Sequence, residues 1–240
     1  MTAKLRQRRA RREFLQLTAT GLALAALPFS ARAQAKPKLG FVGSGRIGST
    51  LGSLWHKAGH EVMFSSLDLE NDRKLAAGLG AGAHAGSSRE AVAFGDVAVF
   101  AVPYAALPKL GKDLAELLKG KVVLDTCNPI VARDGEIATW ARDKGAGLAS
   151  AELLPGARIV RAFNAVGFGR LAEAGARKTG MPIAGDDAGA LEVVSRLVSE
   201  LGFEPVVVGG LAMGRHLIPG TPLAGEHSAA EIREIAATLK

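Results

Sequence analysis

Short apolar runs alternate with amphipathic stretches along most of this chain. The runs Leu39–Val42, Val62–Ser65, Val97–Val102, Val122–Leu124, Ile159–Phe163, Pro182–Ala184 and Pro205–Val208 contain few polar residues. A strand buried on one face alternates apolar with polar, whereas a strand buried on both faces reads as a near-continuous apolar run. These runs therefore predict a parallel sheet covered on both sides. Between them, apolar residues recur at helical spacing over Leu51–Ala58, Arg73–Leu79, Ala105–Leu118, Ala188–Leu201 and Ala229–Leu239. Ser228, with Glu231 three residues on, predicts a capping box at the start of the last helix. Asp186 or Asp187 is expected to cap the helix at Ala188. The Gly- and Ala-rich stretch Ala76–Ser88 reads as a helix end followed by a loop. Strands and helices in this alternation predict an α/β fold, a Rossmann-type doubly wound parallel sheet with a smaller C-terminal α/β extension.

The beginning of the chain departs from this alternation. Arg11-Arg12-Glu13-Phe14-Leu15 ends a basic segment, a moderately apolar stretch follows over Leu17–Phe29, and Ala31-Arg32-Ala33 offers a small-x-small cleavage site. That order resembles a twin-arginine (Tat) export signal, which is read by a receptor and removed. The apolar stretch is shorter than the ~20 residues of a comfortable membrane span. Residues 1–33 are therefore expected to be a signal peptide. The mature start would lie near Gln34, the destination would be periplasmic or otherwise extracytoplasmic, and the Tat machinery would be a partner.

This reading changes the meaning of the formal charge of +7. Residues 1–33 hold seven Lys and Arg and a single acid, so the rest of the chain is near +1. The basic balance therefore says nothing about a nucleic-acid partner, and none is expected. Cys127 is the only cysteine, so no internal disulfide can form. It reads as a small thiol at a strand end rather than a nucleophile, because no His partner motif accompanies it. The five histidines lack metal-ligand spacing, and no metal site is expected.

Candidate chemistry concentrates at the first strand-to-helix junction. Gly43-Ser44-Gly45-Arg46-Ile47-Gly48 is a G-x-G-x-x-G between the run ending at Val42 and an amphipathic stretch. In that setting Gly43 permits the tight turn, Gly45 lets a pyrophosphate approach the backbone, and Gly48 lets helix and strand pack closely. The helix N-terminus adds free N–H groups and a partial positive charge. A dinucleotide is the expected ligand. The second run ends in Ser65-Ser66, where an NAD-preferring fold usually carries an acid for the ribose hydroxyls. Serines there either accommodate a 2′-phosphate or form an ordinary polar strand end. Carboxyl ends of strands line the ligand crevice of such sheets, which adds Val102, Pro103 and Asn164 to the binding candidates. No side chain is assigned as catalytic acid, base or nucleophile. Gly145-Ala146-Gly147 is a candidate break. Residues 34–147 would form the dinucleotide-binding domain, and 148–240 an α/β extension that completes the crevice.

With these residues in view, the chain resembles the NADPH-dependent reductases of the deazaflavin coenzyme F420. It is similar, more distantly, to the N-terminal domain of pyrroline-5-carboxylate reductases and to the reductase domain of the STEAP metalloreductases. The resemblance rests on Gly43–Gly48, Ala58-Gly59-His60-Glu61-Val62, Ser65-Ser66, Ala101-Val102-Pro103, Arg161-Ala162-Phe163-Asn164 and Pro182–Asp187. It implies an oxidoreductase that uses NADP, or NAD as second choice. Hydride would pass directly between nicotinamide and a deazaflavin-like, flavin-like or other small redox acceptor. Coenzyme F420 or a flavin would be the co-substrate. Ser44, Gly45, Arg46 and Ile47 would bind pyrophosphate and adenosine ribose, Ser66 would meet the 2′-phosphate, and Val102 would sit against the nicotinamide side. The family commonly has Arg directly after that serine and often Lys a few residues on. Leu67 and Asn71 stand there, so Arg46, Arg73 or Lys74 would have to supply the charge.

Two other functions stay open. One is an exported dinucleotide-binding module without catalysis. The other is an imine or carbonyl reductase of the pyrroline-5-carboxylate reductase type, against which the short tail after Val208 argues. The expected partner is a small-molecule redox substrate, with no nucleic acid and no stable membrane span; a homodimer is left open.

Overall fold

Strands form where the apolar runs lie. In a computed structural model of the protein, the described residues are 36–172 and 179–239. The expected signal peptide, residues 1–33, lies outside them. The strands are β1 (Leu39–Val42), β2 (Val62–Ser65), β3 (Ala83–Ala85), β4 (Val97–Phe100), β5 (Val122–Asp125), β6 (Arg158–Arg161), β7 (Gly180–Gly185) and β8 (Glu204–Gly209). They make one sheet in the order β3-β2-β1-β4-β5-β6-β7-β8. The helices are α1 (Arg46–Lys57), α2 (Leu69–Leu79), α3 (Ser88–Phe94), α4 (Leu107–Asp113), α5 (Ala115–Leu118), α6 (Val131–Asp134), α7 (Glu136–Lys144), α8 (Ala146–Leu153), α9 (Phe168–Ala172), α10 (Ala188–Glu200) and α11 (Ala229–Thr238). Among the described residues no helix is long and apolar enough to cross a membrane.

The two faces of the sheet explain the unbroken apolar runs. Along β4, Val97 and Val99 enter one core cluster while Ala98 and Phe100 enter another. The first cluster also takes Leu51 and Trp55 of α1 and Val194 and Val198 of α10. The second takes Val92 of α3, Leu107 of α4, Leu118 of α5 and Ala149 of α8. Each residue of β4 is thus buried whichever way it points. The Trp55 indole N–H donates to the Leu197 carbonyl at 2.9 Å, which joins α1 to α10 across the first face.

Three features differ from the expected pattern. The stretch read as helix end and loop contains β3 and leads directly into α3. Strand β3 is three residues long and pairs only with β2 at the sheet edge, so it needs no apolar run. Strand β4 ends at Phe100 rather than Val102, and Ala101-Val102-Pro103 leaves the sheet as a loop. Strand β7 runs antiparallel to β6, while β8 runs parallel to β7. Strand β7 starts at the end of the sheet where β6 finishes, so no crossover returns the chain before it pairs. The sheet continues from β5 to β6 across the Gly145–Gly147 segment, in parallel register from Val122 with Arg158 to Asp125 with Arg161.

Candidate functional site

The chain leaves β1 through Gly43, whose φ of 100° strains any L side chain. A Cβ there would stand 2.4 Å from the Ala101 carbonyl oxygen. A Cβ on Gly48, in the first turns of α1, would stand 1.9 Å from the Gly43 carbonyl oxygen. These two glycines let turn, helix and neighbouring strand close on one another. Gly45 differs, because nothing lies within 4 Å of its Cβ position. It is the N-cap of α1, it makes no side-chain cap, and the first turn of α1 carries no acid. The leading N–H groups and the positive pole of α1 are thus arranged for an anion.

Beside this turn opens a cleft of about 1030 Å³. Its walls are Gly43, Ser44 and Gly45 after β1, Ser66, Leu67 and Asp68 after β2, Ser87, Ser88 and Arg89 before and at the start of α3, and Ala101, Val102 and Pro103 after β4. Ala105, Ala106, Lys109, Leu110, Asp113 and Leu114 close the far side. From β1 the chain goes outward to β2 and β3, then returns to β4 on the other flank of β1. The cleft therefore occupies the switch point of the sheet, where doubly wound folds take their ligands.

Of the residues expected to bind, Gly43, Ser44, Gly45, Ser66, Val102 and Pro103 line this cleft together. Gly48 supports the turn from behind. Ile47 packs against the core, and Ser65 is buried with its hydroxyl donating to the Phe41 carbonyl at 2.7 Å. Arg46, Arg73 and Lys74 do not line the cleft; Arg73 lies 3.7 Å from Glu70 on an exposed face of α2. Two cations that sequence reasoning misses do line it. Arg89 donates to the Asp113 carbonyl at 2.5 Å, and Lys109 donates to the Asp113 carboxylate at 2.5 Å. Recognising β3 would have been the signal for Arg89, since only then does the start of α3 fall at the carboxyl edge of the sheet. Asp72 also escapes notice in the sequence. It is fully buried in α2 and accepts hydrogen bonds from the Ser44 hydroxyl and, at 2.8 Å, from the Ser66 hydroxyl.

Asn164 belongs to a separate assembly at the ends of β5 and β6. Arg161 and Asp125 form a fully buried ion pair there, and Ser150 donates to the same carboxylate at 2.7 Å. Tyr104 Oη lies 3.0 Å from Ser150 Oγ. Phe163 takes a φ of 65°, and the bend lets the Asn164 side-chain amide donate to the carbonyls of Asp125 at 3.1 Å and Cys127 at 3.3 Å. Burial first, and then the Asp125 charge, pushes both the Tyr104 phenol and the Cys127 thiol up. Both stay neutral near pH 7, so Cys127 is not a thiolate nucleophile. Among the described residues no group of three His, Cys, Asp or Glu could hold a metal ion.

Residues 38–129, which include every residue lining the cleft, match the family described as NADP oxidoreductase, coenzyme F420-dependent. Over these residues the chain is similar to that family. The chain is also 31% identical over 186 residues to the metalloreductase STEAP3 of Rattus norvegicus. That match covers 75% of this chain but 36% of STEAP3, so the chain spans about a third of this relative. Among solved structures, the hypothetical protein SMa0349 from Sinorhizobium meliloti is 26% identical with a TM-score of 0.66, over 80% of this chain and 95% of that one. A candidate F420-dependent NADP-reductase from Arthrobacter sp. FB24 is 20% identical with a TM-score of 0.62, over 75% of this chain and 87% of that one. At that identity the likeness is one of fold. The segment that matches the family thus accounts for β1 to β5 and for the whole cleft.

Proposed function

We propose that this chain is an NAD(P)H-dependent oxidoreductase that passes hydride between nicotinamide and a deazaflavin-like, flavin-like or other small redox acceptor. The observation that carries the reading is the open Cβ position of Gly45 over a cleft at the sheet's switch point, in a segment that matches the NADP oxidoreductase family. In this reading the Gly43–Gly45 backbone and the α1 N-terminus hold the pyrophosphate, Ser44 and Ser66 meet the adenosine ribose, and Val102 and Pro103 form an apolar wall. The nicotinamide, when bound, supplies the hydride. The chain's part is to fix the position of the reacting rings and to keep water away. Direct hydride transfer requires no side-chain acid or base. The Arg161–Asp125 pair and Asn164 hold the ends of β5 and β6 together.

NADP is the first choice of cofactor by family, and coenzyme F420 or a flavin is the proposed co-substrate. The test uses stereospecifically deuterated NADPH with riboflavin, FMN and F420 as acceptors. Transfer of label with a primary isotope effect is expected with at least one of them. Tight cofactor binding without oxidation above the uncatalysed rate would move the assignment to a binding module. Turnover with cyclic imines or carbonyl compounds alone would move it to the pyrroline carboxylate type.

A further inference from the structure

Doubly wound sheets that prefer NAD carry an acid at the end of the second strand, where it accepts from the ribose hydroxyls. Ser66 follows β2 here; Asp68, two residues on, lines the cleft but uses its carboxylate to accept from the Asn71 N–H at 3.0 Å as the cap of α2, and a further acid, Asp72, stands inside α2. Asp72 is fully buried and does not line the cleft, but the two hydroxyls that bond it, Ser44 and Ser66, both do. A carboxylate only accepts, and a hydroxyl has a single hydrogen to donate. With those hydrogens turned to Asp72, Ser44 Oγ keeps lone pairs to offer, and Ser66 Oγ, which already accepts from the Asp68 N–H at 3.1 Å, keeps one. The Asp68 carbonyl, 3.2 Å from Ser66 Oγ, is a second acceptor within reach of the same hydrogen. A ribose hydroxyl can donate to such an oxygen. A phosphate dianion has nothing to donate, and beside Ser66 it would also stand one side chain away from a buried negative charge.

We propose that Asp72 is a positioning residue for cofactor choice. Through Ser44 and Ser66 it presents acceptors to the 2′-hydroxyl of an adenosine ribose and holds back the 2′-phosphate of NADP(H). The inference rests on the dinucleotide reading above, and it reverses the role that the family resemblance gives Ser66. Arg89 and Lys109 line the same cleft and can attract a phosphate, so Asp72 sets the ratio of the two cofactors rather than excluding one.

The test is equilibrium titration of the purified full chain with NADPH, NADH, 2′,5′-ADP and 5′-AMP, with circular dichroism to follow the fold. In Asp72→Asn the charge is gone and the side-chain amide donates to one serine, which frees that hydroxyl's hydrogen. The ratio of NADPH to NADH affinity should rise about tenfold, and that of 2′,5′-ADP to 5′-AMP likewise. Ser66→Ala should weaken NADH by about three- to tenfold and leave NADPH within about twofold. A folded Asp72→Asn with both ratios unchanged overturns the proposal. Should that variant not fold, Ser66→Ala decides: NADPH weakened as much as NADH, or more, means that the serine serves the phosphate. If none of the four ligands binds the wild-type chain, the dinucleotide reading falls and takes this inference with it, an outcome distinct from binding without the expected shift.

Discussion

At Gly45 the chain leaves room for a ligand, and at Gly43 and Gly48 it leaves none. The Gly45 φ of −64° is open to any residue, so Gly45→Val should fold while its side chain fills the space proposed for pyrophosphate. Calorimetric titration with NADPH and NADH should show binding lost; undiminished affinity in a folded variant would make the turn purely structural. Leu67 is fully exposed at the cleft, so exchanging it costs little packing. Leu67→Arg should tighten NADP(H) over NAD(H) by about fivefold, the discounted value of a charge-assisted bond in a solvent-exposed place. Equal affinity changes for the two cofactors would mean that no phosphate comes near this position. Asn164 poses a different question, since its side-chain amide is committed to the Asp125 and Cys127 carbonyls. Asn164→Ala should therefore lower stability by about 1–3 kcal/mol, read from urea unfolding, because two buried carbonyls lose that donor. The turn glycines and Ser66 are legible in the sequence because their meaning depends on near neighbours. Asp72 and Arg89 are not, because they reach the cleft only through the packing of α2 and α3.

Elements around the cleft are joined by a short helix. Asp134, at the end of α6, accepts from the Ile130 N–H at 3.0 Å, from Arg133 at 2.8 Å and from the Ala105 N–H at 3.4 Å. It thereby links the loop after β5 to the segment after β4 that closes the cleft. Burial pushes the Asp134 carboxyl up, but the bonds from Arg133, Ile130 and Ala105 outweigh it and hold it below its ordinary value of 3.8. A carboxyl with a lowered folded pKa stabilises the fold above the unfolded value and loses that contribution as pH falls through the folded one. The urea midpoint of the wild type should therefore drop below pH 3.8, while Asp134→Asn starts lower and loses less on acidification. Parallel curves for both proteins would remove Asp134 from the account. At this scale β1, β2 and β5 are legible, since burial on both faces demands apolar runs. The edge strand β3 is not, and the antiparallel entry of β7 follows from where its connection runs rather than from composition.

For the whole molecule, residues 1–33 carry nearly all of the net charge. We propose that the chain is exported by the Tat route, on the strength of Arg11-Arg12, the apolar stretch and Ala31-Arg32-Ala33. Replacing both arginines by lysine should retain the precursor in the cytoplasm, as seen by fractionation and immunoblotting; unchanged export of that variant would end the proposal. By itself the sequence determined the α/β alternation, the doubly wound sheet and the dinucleotide-type turn, because each is a local pattern of burial or backbone freedom repeated along the chain. Only the tertiary structure decided which polar groups share the cleft, that Ser65 and Asn164 are committed to backbone carbonyls, and that an acid of α2 accepts from two serines of separate loops. Those outcomes depend on hydrogen-bond geometry between segments far apart in sequence, and no spacing within a single segment records it.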